Sequence, residues 1–342
     1  MTNTDVYILG IESSCDETSV AIVKNGREEI AATILSQMDV HANFGGVVPE
    51  IASRLHAENI TMVLEETLGK AKMTLDQMDA IAVAYAPGLL GSLIVGVEFA
   101  KVLSFVYKKP LIKVHHIAGH IYANNLIQPL KFPLLALVVS GGHTELISMA
   151  GDYKFEVLGK TLDDAIGETY DKVARSLGLS YPGGPNLEKL ALNGKLNYNF
   201  PIPFDDKTFN FSYSGLKSAV INKINAEKQA GRPIEYADIA ASFQKAAVGQ
   251  LTNKVEAAIK KFNIRNMIVA GGVSANNYLR DEIAKVAEKA RVTLSIPPIE
   301  YCTDNGTMIA CAAYPLYINR DFEKFTLNAK SQDDFFANFA EE

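Results

Sequence analysis

Three of the six histidines in this 342-residue chain fall within six positions, His115-His116-Ile117-Ala118-Gly119-His120. His116 and His120 have the i, i+4 spacing that puts two imidazoles on one face of a helix. Two imidazoles are half of a metal site, and at least one more ligand is required. The segment is like a metalloprotease H-E-x-x-H motif that lacks its glutamate, the general base of peptide hydrolysis. Ile117 stands where that base would be. A metal held here is therefore expected to orient a ligand, not to cleave a protein. Asp304, just ahead of an apolar helical run, is most simply an N-cap. It would also be a good third ligand if the fold carries it to His116 and His120.

Other segments could hold an anion. Glu12-Ser13-Ser14-Cys15-Asp16-Glu17-Thr18 lies between two apolar runs, and such a tip can surround a phosphate with N–H groups and hydroxyls. Ser140-Gly141-Gly142-His143-Thr144 reads as a two-glycine hairpin turn whose backbone a phosphate could approach. Gly271-Gly272 precedes a helix, a plausible platform for a nucleoside or phosphate. Taken singly, each is as easily an ordinary turn. Tyr181-Pro182-Gly183-Gly184-Pro185 is a rigid turn, and Phe211–Lys217 offers hydroxyls and a lysine beside aromatics.

The elements that must position these residues follow an α/β pattern. Strands are expected at Val6–Ile11, Ser19–Val23, Glu28–Leu35, Asp79–Ala84 and Leu111–His115, with helices after Pro49, at Leu93–Tyr107 and at His116–Leu126. A second half opens with strands Leu134–Ser140 and Thr144–Met149. It continues with Asn266–Ala270, a helix after Asn277, and a last helix at Thr307–Tyr317. Two halves that each begin with a polar-tipped hairpin suggest an internal duplication. The segment 80–97 is uncharged, but Pro87, Gly88 and Gly91 interrupt it, so a strand, a turn and a buried helix fit better than a membrane span. The N-terminus has no basic region followed by a long apolar one, unlike a signal peptide. Three widely spaced cysteines form no disulfide framework, which suits a reducing cytoplasm. The net charge of −6 gives no global attraction for nucleic acid, so such a substrate would need a local basic patch or a partner.

The order of these motifs resembles the actin/sugar-kinase/Hsp70 (ASKHA) arrangement. More closely, the chain resembles the tRNA N6-adenosine threonylcarbamoyltransferases, the TsaD family once called glycoproteases. The resemblance covers about residues 6–318. It rests on GIESSCDET at 10–18, HANFGGVVPEIASRLH at 41–56, PGLLGS at 87–92, HHIAGH at 115–120, VSGGHT at 139–144 and DDAIGETYDK at 163–172. YPGGP at 181–185, FSYSGLK at 211–217, GGVSAN at 271–276 and CTDNG at 302–306 complete it.

The resemblance implies a two-lobed α/β ASKHA fold, each lobe a mixed sheet flanked by helices, with the ligand in the cleft between them. The lobes are expected at 1–130, completed by the helix 307–330, and at 131–306, with an acidic tail at 331–342. It implies transfer of a threonylcarbamoyl group from threonylcarbamoyl-AMP to N6 of the adenosine 3′ of the anticodon, in tRNAs reading ANN codons, with release of AMP. His116, His120 and Asp304 would hold one divalent metal, usually iron(II), with zinc or magnesium as alternatives. Val138, Val139, Ser140, Gly141 and Gly142 would carry the adenylate, with Asp171, Gly184 and Asn276 around its nucleoside. Glu188, where the family often has Asp, would touch the ribose. Asp16 or Glu17 could take a proton from the attacking amine. Implied partners are tRNA, the paralogue TsaB, the ATPase TsaE and the synthase TsaC that makes the adenylate. A metalloprotease and an ASKHA phosphotransferase or ATPase are the competing readings. The first lacks its base, and the second leaves the histidine pair without a role.

Overall fold

The structure is a computed structural model that describes residues 5–202 and 208–333. Of the expected tail, residues 334–342 lie outside the described ones. The chain divides into two compact units: residues 5–130 with 297–333, and residues 131–296.

In the first unit, β1 (Tyr7–Glu12), β2 (Glu17–Lys24) and β3 (Glu28–Ser36) form an antiparallel meander, and β4 (Ala80–Ala86) and β5 (Leu111–His115) add in parallel. The strand order is β3-β2-β1-β4-β5. Every residue of β4 is buried, as expected of a parallel strand covered on both faces. The helices are α1 (Met38–Ala42), α2 (Pro49–Ala71), α3 (Leu90–Tyr107) and α4 (His116–Tyr122). Leu9, Ile11, Val20 and Ile22 pack with Ile60, Val63 and Leu64 of α2 and Val97, Ala100 and Leu103 of α3.

The second unit repeats the plan. Strands β6 (Leu134–Val139), β7 (Thr144–Gly151), β8 (Lys154–Lys160), β9 (Asn266–Ala270) and β10 (Thr293–Ser295) lie in the order β10-β9-β6-β7-β8. Read from β8, this is the topology of the first sheet, in accord with the expected duplication. Around it run α5 (Ile166–Ser176), α6 (Gly183–Ala191), α7 (Ser214–Gln229), α8 (Tyr236–Phe262) and α9 (Asn277–Ala290).

The chain then returns to the first unit with α10 (Gly306–Ile318). Side chains alternate along β1, so Leu9 and Ile11 face α2 and α3 while Gly10 faces the other way. There α10 lies almost in backbone contact. A Cβ on Gly10 would fall 2.2 Å from the Gly306 carbonyl oxygen, and one on Gly306 would fall 2.7 Å from the Gly10 oxygen. Two facing glycines thus set the distance at which α10 enters.

The uncharged segment at 80–97 resolves into β4, a turn and the start of α3. Helix α3, Leu90–Tyr107, is long and apolar enough to cross a membrane by length and composition, and 39% of it is buried. Its buried side joins the core described above.

Candidate functional site

His116 and His120 sit on α4, whose seven residues are all buried. The His116 Nε2 lies 3.5 Å and the His120 Nε2 3.1 Å from Asp304 Oδ1. One ligand atom from each of the three lies within 4.8 Å of the other two. The rings meet edge to face, with centroids 4.7 Å apart. Both His120 nitrogens are buried with no hydrogen-bond partner, so the 3.1 Å approach to Asp304 lacks hydrogen-bond geometry. A buried imidazole without a partner is costly unless another ligand completes it. Two imidazoles and one carboxylate turned toward one point are a donor set that fits a divalent cation.

The local sequence explains the convergence. Asp304 does not cap α10. Asn305 is the N-cap, extended at φ −156° and accepting the Met308 N–H at 2.8 Å through its side chain. The expectation that Asp304 is the cap is thus corrected: Asn305 takes that duty and leaves the Asp304 carboxylate to face the histidines. Gly119 sits between the two histidines, where a Cβ would meet Ile309 Cδ1 at 3.0 Å and Met308 Cγ at 3.2 Å. Without a side chain there, α4 comes close to α10.

Behind His116 is a second carboxylate. Glu12, fully buried at the end of β1, approaches His116 Nδ1 at 3.0 Å through Oε2 and accepts the Ser14 N–H at 2.5 Å through Oε1. Ser14 Oγ is also 3.1 Å from Nδ1. Burial opposes charge on His116, but the Asp304 and Glu12 carboxylates outweigh it and hold its pKa up at about 9. The site therefore favours positive charge. Asp16 and Glu17 lie on the same hairpin. Burial, then the Asp304 and Asp16 charges, hold the Glu17 carboxyl well above the usual carboxylate range. From the sequence, Glu12 stands out only as the first residue of the polar tip 12–18, with no link to the histidines, and Gly119 only as part of the histidine segment.

The expected nucleotide residues gather in the second unit. Asp171 Oδ1 accepts the Gly183 and Gly184 N–H groups at the start of α6, at 2.8 and 3.2 Å. Burial raises the Asp171 pKa against those two hydrogen bonds. One turn on, Glu188 Oε1 accepts the Asn277 N–H at 2.7 Å. Asn276 caps α9, accepting the Leu279 N–H and donating through Nδ2 to Gln244. A pocket of about 470 Å³ borders Glu188, Gln244, Asn277, Tyr278 and Asp281. Val138 and Val139 end β6. Gly271 (φ +90°) lies so close behind that a Cβ would be 2.5 Å from the Val139 oxygen. The Ser140–His143 turn closes with the Ser140 N–H donating to the His143 oxygen at 2.9 Å. β6 and β7 do join as the expected hairpin across Gly141-Gly142, with Val139 paired to Thr144, but neither glycine has a positive φ, so the turn is not of the primed type expected there. Instead, a Cβ on either would meet nothing within 4 Å. Gly167 at the start of α5 packs against Gly141 and donates to the Ser140 oxygen at 3.3 Å.

Residues 28–311 match the model of the family TsaD, tRNA N6-adenosine threonylcarbamoyltransferase. The tRNA N6-adenosine threonylcarbamoyltransferase of Staphylococcus aureus strain Newman is 51% identical over 331 residues, 96% of this chain and 97% of that one. The chain belongs to the tRNA N6-adenosine threonylcarbamoyltransferase family. The enzyme is thus a transferase that forms t6A in tRNA, and the protease and phosphotransferase readings give way to it. Solved structures support the ASKHA fold. HypF of T. kodakarensis superposes with a TM-score of 0.64 at 16% identity, over 94% of this chain and 49% of that one. The Acidaminococcus fermentans (R)-2-hydroxyglutaryl-CoA dehydratase component A gives 0.53 at 15%, over 91% and 98%.

Two motifs of the transferase are accounted for structurally. Asp163 accepts the Tyr213 N–H at 2.7 Å and the Ser212 hydroxyl at 2.5 Å, which fixes the entry to α7. Asp164 pairs with both Lys172 and Lys217, so the lysine of the FSYSGLK motif is held in an ion-pair network.

Proposed function

We propose that the enzyme transfers the threonylcarbamoyl group of threonylcarbamoyl-AMP to N6 of the adenosine 3′ of the anticodon in tRNAs reading ANN codons. The N6 nitrogen bonds to the carbamoyl carbon, the bond from that carbon to the phosphate oxygen breaks, and AMP leaves. The donor is a mixed anhydride, so its carbonyl is already activated and the main task is positioning and charge stabilisation. The observation that carries this reading is the convergence of His116, His120 and Asp304 in a chain of this family. These three would hold a divalent cation, with iron(II) the first choice and zinc or magnesium the alternatives, which would supply Lewis-acid stabilisation of the charge that develops on the donor. Val138–Gly142 would line the adenylate, with Asp171, Gly184, Glu188 and Asn276 about its nucleoside. Asp16 or Glu17 would take the amine proton; with its pKa held up at about 10, Glu17 is protonated near neutral pH and would have to give up that proton first. The two compact units would be the two lobes of the fold.

The substrate is a tRNA, and with a net charge of −6 the chain gives it little long-range attraction. We infer that it works in the cytoplasm within an assembly: a paralogue, TsaB, as dimer partner, TsaE as ATPase and TsaC as source of the adenylate. Exposed Met62 on α2, with Val102, Phe105 and Val106 on α3, supports an apolar docking face on the first unit. The test is one incubation of the enzyme with threonylcarbamoyl-adenylate, unmodified tRNA and the partners, read by nucleoside mass spectrometry. Formation of t6A is expected. Its absence, with tRNA cleaved or adenylate merely hydrolysed, would overturn the proposal.

A further inference from the structure

We propose that Glu12 is a positioning residue that fixes the proton of His116 on Nδ1 and so presents the bare Nε2 to the cation. This rests on the reading of His116, His120 and Asp304 as a metal site. A neutral imidazole carries one proton, so one nitrogen donates and the other accepts. The Glu12 carboxylate faces Nδ1 at 3.0 Å and can only accept. A lone pair on Nδ1 would confront that buried negative charge, so with a cation at Nε2 the remaining proton belongs on Nδ1. Glu12 has no other freedom: it is 0% exposed, and its second oxygen is held by the Ser14 N–H at 2.5 Å. The Ser14 hydroxyl, 3.1 Å from the same nitrogen, sits beside this contact and cannot replace its charge. His120 has no such support, since its Nδ1 is buried without a partner. The two histidines are therefore unequal, and His116 is the anchored ligand. Carboxylate–imidazole–metal arrangements of this kind fix ring orientation and raise ligand basicity.

Glu12→Gln keeps the shape but must turn an amide NH2 toward either the Ser14 N–H or His116 Nδ1–H, so one contact is lost. Zinc affinity, measured by competition with a chromophoric chelator, is expected to fall about 10–100-fold, the usual effect of losing such support. The metal-free thermal midpoint serves as the folding control. Affinity equal to wild type in a folded Glu12→Gln protein overturns the proposal. His120→Ala runs alongside. If it binds zinc as tightly as wild type, the metal reading itself fails, a result distinct from failure at Glu12. Should Glu12→Gln not fold, nitrogen-15 histidine spectra of the zinc-loaded wild type decide: a protected proton on His116 Nδ1 is expected, and one on Nε2 overturns the assignment.

Discussion

At the scale of single residues, the site divides its work between neighbours in sequence. Asn305 caps and Asp304 faces the histidines, so the two should separate by mutation. Asn305→Ala is expected to cost about 1 kcal/mol of stability through the lost cap while metal binding persists. Asp304→Asn is expected to leave the fold intact and to lose bound metal and transfer, by at least the ~10–100-fold that outer contacts alone command. Metal analysis, t6A assay and denaturant titration of each variant check both. Equal metal content in Asp304→Asn and wild type would sink the ligand assignment. A second residue carries a pH signature. Burial pushes Glu145 on β7 from the ordinary 4.5 up to about 7, against Lys160. Its folded pKa is the higher one, so between those values the unfolded state binds fewer protons. Stability through this group is full below pH 4.5 and falls as pH rises to about 7. Glu145→Gln should remove that slope, worth at most about 3 kcal/mol, in melting curves recorded across this range. An unchanged pH profile would count against the assignment.

Elements were legible in the sequence where periodicity alone decides them. β1, β9 and the last helix as read at Thr307–Tyr317 lie within a residue or so of expectation, because short apolar runs bounded by turns leave few alternatives, whereas the longer helix 307–330 is not formed, since α10 ends at Ile318. Helix α4 was expected to run to Leu126 but ends at Tyr122, passing into a tighter 3-10 turn. Helix α8 carried no expectation. It buries Ser242, Gln244, Gln250 and Lys254 among its apolar residues, which blurs the stripe that periodicity reads. In the site, the histidine spacing was visible and the third ligand was nameable. The swap of roles between Asp304 and Asn305, and the part of Glu12, depend on contacts between distant segments that spacing cannot express. The facing glycines belong to this scale as well. Gly10→Ala drives a methyl into the backbone of α10, and is expected to cost about 1–3 kcal/mol or more. It should also weaken metal binding, because α10 carries the Asp304 segment. Wild-type stability and metal affinity in that variant would contradict the account.

For the whole molecule, the exposed apolar face of α2 and α3 bears on assembly. Phe105 is 70% exposed and Val102 59%. Replacing both by serine is expected to leave the monomer folded and to abolish co-elution with the proposed paralogous partner on a sizing column. Retained co-elution would move the interface elsewhere. No protease activity is expected, since Ile117 stands where an H-E-x-x-H motif carries its general base. Casein cleavage by highly purified enzyme that disappears in His120→Ala would overturn that.

The first unit is discontinuous, and this has a consequence for biosynthesis. Its sheet is complete by residue 115, yet α10, which covers the Gly10 face, comes after the 166 residues 131–296. At roughly 5–20 residues per second of translation, that interval is on the order of 10–30 seconds. Throughout it the nascent sheet has one face uncovered, and His116 and His120 wait without Asp304. A ribosome stalled inside the second unit would hold a half-built first one, open to nascent-chain chaperones. His116, His120 and Asp304 can come together only after the whole second unit and the segment bearing Asp304 have been made.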